Sequence, residues 1–170
     1  MKKPYIFFVL TFLTLLSCSD HKSSLMNKVD NVKPADFSLY DINGNLINFQ
    51  QLKGSYLLVN FWATWCKPCV NEIPSLNNLH KKLSINNNFQ VIAINIGQDK
   101  TVVEKFLNDV PKIDFMILLD ENMDLTEWSV QAIPTTFLVN NKGEVVYSVE
   151  GEKQWDSLEF ISFINSEIKK

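Results

Sequence analysis

The stretch Phe61–Cys69, FWATWCKPC, decides how the chain is read: two cysteines stand three positions apart, after an apolar run and before a helical pattern. The run Tyr56–Trp62 (YLLVNFW) has the length and residue types of a buried strand. From Cys66 onward, apolar residues recur at Val70, Ile73, Leu76, Leu79 and Leu83, a helical stripe. Cys66 therefore falls where a strand ends and a helix begins, with Cys69 one turn further along. A helix N-terminus favours negative charge, and the thiolate is the reactive form of cysteine. The pair reads as a redox dithiol, with Cys66 as nucleophile and Cys69 as the resolving thiol.

The cap chemistry follows from the next two residues. An N-cap side chain normally accepts from amides two or three positions on. Two positions on is Pro68, which has no N–H, so the Cys69 amide is the available donor. Lys67 adds a positive charge beside the pair and reads equally as a tuning residue or a solvent-facing lysine. Trp62 reads as core, and Trp65 as part of the surroundings of the dithiol.

Working outward, Phe37, Leu39, the Asn43-Gly44 turn, and Leu46, Ile47 and Phe49 predict a β-hairpin. Phe89–Ile96 (FQVIAINI) predicts a second buried strand, and Val102, Val103, Phe106, Leu107 and Val110 a short helix closed by Pro111. Phe115–Leu119 predicts another strand, and Asn122–Trp128 a short helix. Ile133–Val139 reads as a strand opened by Pro134, turned by Asn141-Lys142-Gly143 into Glu144–Val149. Trp155, Leu158, Ile161, Ile164 and Ile168 predict a C-terminal amphipathic helix. Strands alternating with helices, then a hairpin and a helix, indicate a three-layer α/β domain with a central sheet.

The first residues read differently. Lys2 and Lys3 precede the apolar run Ile6–Leu16, which is short for a membrane span but fits the core of a secretory signal. Ser17-Cys18 then resembles a bacterial lipobox. On that reading residues 1–17 are a signal peptide, Cys18 is the lipidated N-terminus, residues 18–34 form a tether, and 35–170 are the folded domain. The expected location is extracytoplasmic and membrane-anchored.

Composition narrows the function classes. Sixteen basic residues, all lysine, face nineteen acids, for a formal charge of −3. Without arginine there is no bidentate phosphate fork, and nucleic acid is not an expected partner. Five glycines form neither a dinucleotide-binding nor a phosphate-loop fingerprint.

FWATWCKPCVNEIP (Phe61–Pro74) and AIPTTFLVNNKGEVV (Ala132–Val146) resemble the thioredoxin superfamily, most closely its extracytoplasmic TlpA/ResA-type thiol-disulfide reductases. The resemblance implies a thioredoxin-like fold with an N-terminal β-hairpin and a helix-strand insertion, Gln98–Leu119, before the proline. It implies a cis-proline beside the dithiol at Pro134, with Ile133, Pro134 and Trp65 meeting substrate, and Lys67 and Pro68 tuning the pair. It implies no cofactor beyond the Cys66–Cys69 disulfide, exported disulfide proteins such as apocytochrome c as substrates, a membrane electron donor of the DsbD/CcdA type, and a monomer.

Two positions depart from that pattern. Asn60 stands where ordinary thioredoxins bury an aspartate, and Gln98, followed by Asp99, stands where ResA-like proteins often carry a glutamate. The usual proton acceptor for the resolving thiol is thus missing or displaced. Glu72 reads as a solvated helix-face carboxylate, a substitute acceptor being its other reading.

Other classes fit less well. A passive staple across so short a loop yields about 2 kcal/mol, half that of a loop of about fifty residues. His21 and His80 lie at no ligand spacing from the cysteines, so no metal is expected, and His80 reads as a helix-surface residue. A thiol peroxidase would want a proline and a threonine at set distances before its cysteine. Thr64 is misplaced for that. A non-catalytic module keeping the fold is the remaining alternative.

Overall fold

The computed structural model describes residues 25–32, 36–86 and 88–169. Residues 1–17, expected to be a signal peptide, and Cys18 lie outside the described residues. Eight strands form one sheet in the order β1-β8-β7-β4-β5-β6-β2-β3: β1 (Asn27–Val32), β2 (Ser38–Asp41), β3 (Leu46–Asn48), β4 (Tyr56–Trp62), β5 (Phe89–Ile96), β6 (Met116–Asp120), β7 (Thr135–Val139) and β8 (Val145–Glu150). Three α-helices accompany them: α1 (Lys67–Leu83), α2 (Lys100–Asp109) and α3 (Leu158–Ile168).

β4, β5 and β6 are parallel, whereas β7 runs antiparallel to β4 and β2 antiparallel to β6. The parallel strands sit at the centre and are covered on both faces, hence the continuous burial of β4 from Leu57 to Trp62, apolar except at Asn60. On one face Trp62, both cysteines, Ile73, Leu76 and Leu79 of α1, Val103 of α2, and Phe160 and Ile164 of α3 share a core. The other face buries Phe61, Ile92, Ile94 and Phe137 under two 3-10 turns, Phe49–Leu52 and Thr126–Trp128. The third layer is therefore thin, and all three α-helices pack against the dithiol's side of the sheet.

The fold is the expected thioredoxin-like one, with α2 and β6 forming the insertion before Pro134. Three details differ from the expectation. Residues 27–32, assigned to a tether, form β1, which pairs antiparallel with β8, and Met26 is fully buried in the dithiol-side core. The domain thus begins before the β2–β3 hairpin. Polar side chains hid this strand, because an edge strand is held by backbone ladder bonds rather than by an apolar pattern.

The segment Asn122–Trp128 is a turn ending in the 3-10 helix and not a longer helix. The Asp120 carboxylate accepts from the amides of Asp124 and Leu125 at 2.8 and 3.2 Å, and Met123 is left-handed with φ 57°. These side-chain bonds compete with helix formation. The last helix starts at Leu158 with Ser157 as N-cap, so Trp155 lies in the connection before it.

Candidate active site

β4 and α1 meet at Cys66, whose backbone is extended at φ −85° and ψ 97°. Its sulfur accepts from the Cys69 amide at 3.3 Å, the donor that Pro68 leaves available. Cys66 and Cys69 are joined in a disulfide. Both are buried, at 5% and 1% exposure, so exposure alone does not separate them in this oxidised state. Around them Trp65 is 70% exposed, and Lys67 and Pro68 face solvent.

Across from the pair, the Ile133–Pro134 bond is cis and the Ile133 carbonyl oxygen lies 3.7 Å from Cys66 Sγ. A disulfide sulfur carries no proton, so this is a packing contact that becomes an S–H···O approach when the pair is reduced. Pro134 is buried and Ile133 half-buried. The Thr135 hydroxyl donates to Ala132 O at 2.6 Å and the Gly151 amide to Pro134 O at 2.8 Å, fixing the loop from both sides. Cys66, Cys69, Ile133, Pro134, Trp65, Lys67 and Pro68 therefore converge on one end of the sheet.

Glu72 corrects the reading of a solvated carboxylate. It is 1% exposed. Oε1 accepts from Asn60 Nδ2 at 2.7 Å, while Oε2 accepts from the Lys153 amide and from Trp155 Nε1, both at 3.0 Å. Burial raises its pKa to about 7, against the lowering effect of those donors and of the Lys153 charge. A carboxyl one helical turn from Cys69 thus titrates near neutrality. Asn60 also reaches Thr136 Oγ1 at 2.9 Å, so the residue in the usual aspartate position holds the displaced acid in place.

Ser75 strengthens the same seam. Its hydroxyl donates to Glu72 O at 2.9 Å and accepts from the Trp155 amide at 3.1 Å. Sequence reasoning had no means of bringing Lys153 and Trp155 to this site, since they lie 81 and 83 positions from Glu72.

Gln98 and Asp99 do other work. Asp99 caps α2, accepting from the Val102 amide at 3.0 Å. Gln98 clamps the dithiol loop: Oε1 accepts from the Thr64 amide at 2.8 Å and from Asn95 Nδ2 at 3.0 Å, and Nε2 donates to Thr64 Oγ1 at 2.8 Å. Gln98→Ala should therefore cost about 1–3 kcal/mol in urea unfolding and lower disulfide turnover. Gln98→Glu should keep most of both, because a carboxylate accepts from the same two N–H groups and the Thr64 hydroxyl can turn to donate. An alanine variant matching the parent in both measurements would remove this role.

His80 is half-buried rather than on the open surface, its Nδ1 accepting from the Val91 amide at 3.4 Å. Burial holds its pKa below the ordinary value, against the opposing charge of Asp114.

Comparison with known proteins places this geometry. The family model described as Redoxin matches residues 28–160. The chain belongs to the Redoxin family. Thiol-disulfide oxidoreductase ResA of Bacillus subtilis (strain 168) is 36% identical over 117 residues, 68% of this chain and 64% of that protein. ResA of Geobacillus kaustophilus (strain HTA426) is 34% identical over 128 residues, 73% of this chain and 71% of the relative. The crystal structure of StoA from Bacillus subtilis superposes with a TM-score of 0.64 at 30% identity, covering 77% of this chain and 98% of that one. Within the thioredoxin superfamily the chain thus groups with the ResA-type thiol-disulfide oxidoreductases.

Proposed function

We propose that this protein is a membrane-anchored, extracytoplasmic reductase of disulfides in exported proteins, acting through Cys66 and Cys69. The observation that carries the reading is the dithiol at the α1 N-terminus, set against the Ile133 carbonyl and one turn from a buried carboxyl that titrates near neutrality. Lys2-Lys3, the run Ile6–Leu16 and Ser17-Cys18 support the anchor. Among the described residues no helix is long and apolar enough to cross a membrane.

In the reduced protein the Cys66 thiolate attacks a substrate disulfide. One substrate sulfur leaves as thiolate, and a mixed disulfide forms. Cys69 passes its proton to Glu72 and attacks Cys66 Sγ, releasing the second substrate sulfur. The substrate gains two electrons, and the protein ends as the Cys66–Cys69 disulfide. Ile133 offers its backbone to an extended substrate segment, with Pro134 and Trp65 flanking it. No cofactor beyond the disulfide is needed. A membrane dithiol donor of the DsbD/CcdA type returns the electrons, and apocytochrome c is one candidate substrate for a monomeric enzyme.

Insulin-disulfide reduction by the purified protein with dithiothreitol tests the activity, and peroxide consumption under the same conditions tests the peroxidase alternative. Peroxide turnover without insulin reduction would overturn the proposal. Direction is tested separately. Lys67 and Pro68, with no histidine between the cysteines, give less stabilisation of the thiolate than strongly oxidising sites have. The couple should equilibrate with glutathione buffers well below about −120 mV, the strong-oxidant end of the scale. A value at or above that end would make the protein an oxidase.

A further inference from the structure

Resting on the Cys18 anchor proposed above, we infer that the dithiol end of the domain is its membrane-facing end, so that its partners are thiols and disulfides held at the bilayer surface. The strand register carries this. Asn27 of β1 pairs with Ser148 of β8, Ser148 with Phe137 of β7, and Phe137 with Val59 of β4. β1 is antiparallel to β8, so moving back from Asn27 toward Leu25 moves toward Glu150, Thr135 and Phe61. That is the end of the sheet from which β4 delivers Cys66. Met26 is fully buried on the same face of the sheet as Trp62, Cys66, Cys69 and Trp155.

The chain therefore enters the fold on the dithiol's own side. Three strand spacings separate β1 from β4, about 14 Å across the sheet. Cys18 precedes Leu25 by seven positions, and a chain of that length reaches at most about 25 Å in any conformation. The two lengths together keep the dithiol within about 40 Å of the lipid headgroups.

The opposite end of the domain is marked by Ile85, which follows α1 and is 77% exposed. With α1 spanning Lys67–Leu83, that end lies about 25 Å beyond the dithiol. To lay Ile85 on the bilayer, the tether would have to run back along the whole domain, using its entire reach. The same short tether that permits contact with a membrane-borne dithiol thus disfavours the reversed orientation.

The test uses full-length lipidated protein bound to phosphatidylethanolamine–phosphatidylglycerol vesicles that carry an acceptor dye on their lipids. In the oxidised protein Cys66 and Cys69 are bonded and Cys18 is acylated, so one added cysteine takes the donor dye. Asn71→Cys labels the dithiol end and Ile85→Cys the far end, and both positions are exposed. With about 21 Å between the probes along the helix axis, energy transfer from position 71 should exceed that from 85 by roughly twofold or more. Inserting about twenty Gly/Ser residues between Ser24 and Leu25 should erase the difference while the protein stays bound, since such a linker adds a root-mean-square span of about 25 Å and a far larger maximum extension. Equal transfer in the parent protein, or stronger transfer from position 85, would overturn the inference. Protein that fails to float with vesicles would instead remove the anchor. Coupling Cys18 of the chain starting there to a maleimide lipid then restores the same tether, and the same comparison decides the orientation.

Discussion

Replacing Cys69 by serine should leave a protein that accumulates mixed disulfides with its substrates, while Cys66→Ser accumulates none. Turnover in either variant should fall to background, because both sulfurs are needed to complete the exchange. The assignment does not rest on exposure, since both cysteines are buried in the disulfide state. It rests on surroundings. Cys66 Sγ accepts the Cys69 amide at the helix cap and faces the Ile133 carbonyl, among the outward-facing Trp65, Lys67 and Pro68. Cys69 lies inside the first turn, on the Glu72 side. Substrate can approach the first sulfur along the cis-proline loop, whereas the second is reached only from within. Non-reducing gels and mass spectrometry of each variant after incubation with a disulfide-containing protein measure the outcome. Equal trapping by both would undo the roles.

The second large effect concerns Glu72. Substituting glutamine keeps the side-chain shape and, with the Asn60 amide turned over, the hydrogen-bonding partners, but removes the titrating group. Release of the mixed disulfide at neutral pH should slow by about 10²–10⁴-fold, the usual contribution of a positioned general base. Stability provides an independent readout. Glu72 has its pKa raised to about 7 from an ordinary 4.5, so the folded protein holds a proton that the unfolded chain has already lost between those values. Its contribution is fully present below about pH 4.5 and is lost as pH rises toward 7, a loss of about 3 kcal/mol across that window. The parent should therefore unfold at lower urea concentration at pH 7.5 than at pH 5, relative to Glu72→Gln. A glutamine variant with the parent's release rate and the parent's pH dependence would exclude the proton-acceptor role.

Glu72 also shows how close the sequence came. Cys69, Glu72, Ile73 and Leu76 fall at i, i+3, i+4 and i+7, the spacing of a single helix face. The acid was on the buried stripe all along. A carboxylate on such a stripe is ordinarily solvated, so its residue type outweighed its position. Trp155 misled in the opposite way, since its apolar character placed it in the helix stripe, whereas α3 starts only at Leu158, after its N-cap Ser157. β1 escaped notice because its polar residues carry no alternation that a sequence window can detect.

What the sequence determined by itself was everything written in local pattern. The strand-to-helix junction at Cys66, the cap made available by Pro68, the β2–β3 hairpin and the succession of buried strands need only neighbours a few positions apart. The tertiary structure alone decided what those pieces meet. It brought the Ile133 carbonyl to Cys66 across 67 positions, laid the Lys153–Trp155 connection over Glu72, tied Gln98 to Thr64 and added β1 to the sheet edge. Hydrogen bonds and burial of this kind depend on how elements pack. The charge state of Glu72 depends on the desolvation that the packing creates, which no periodicity encodes.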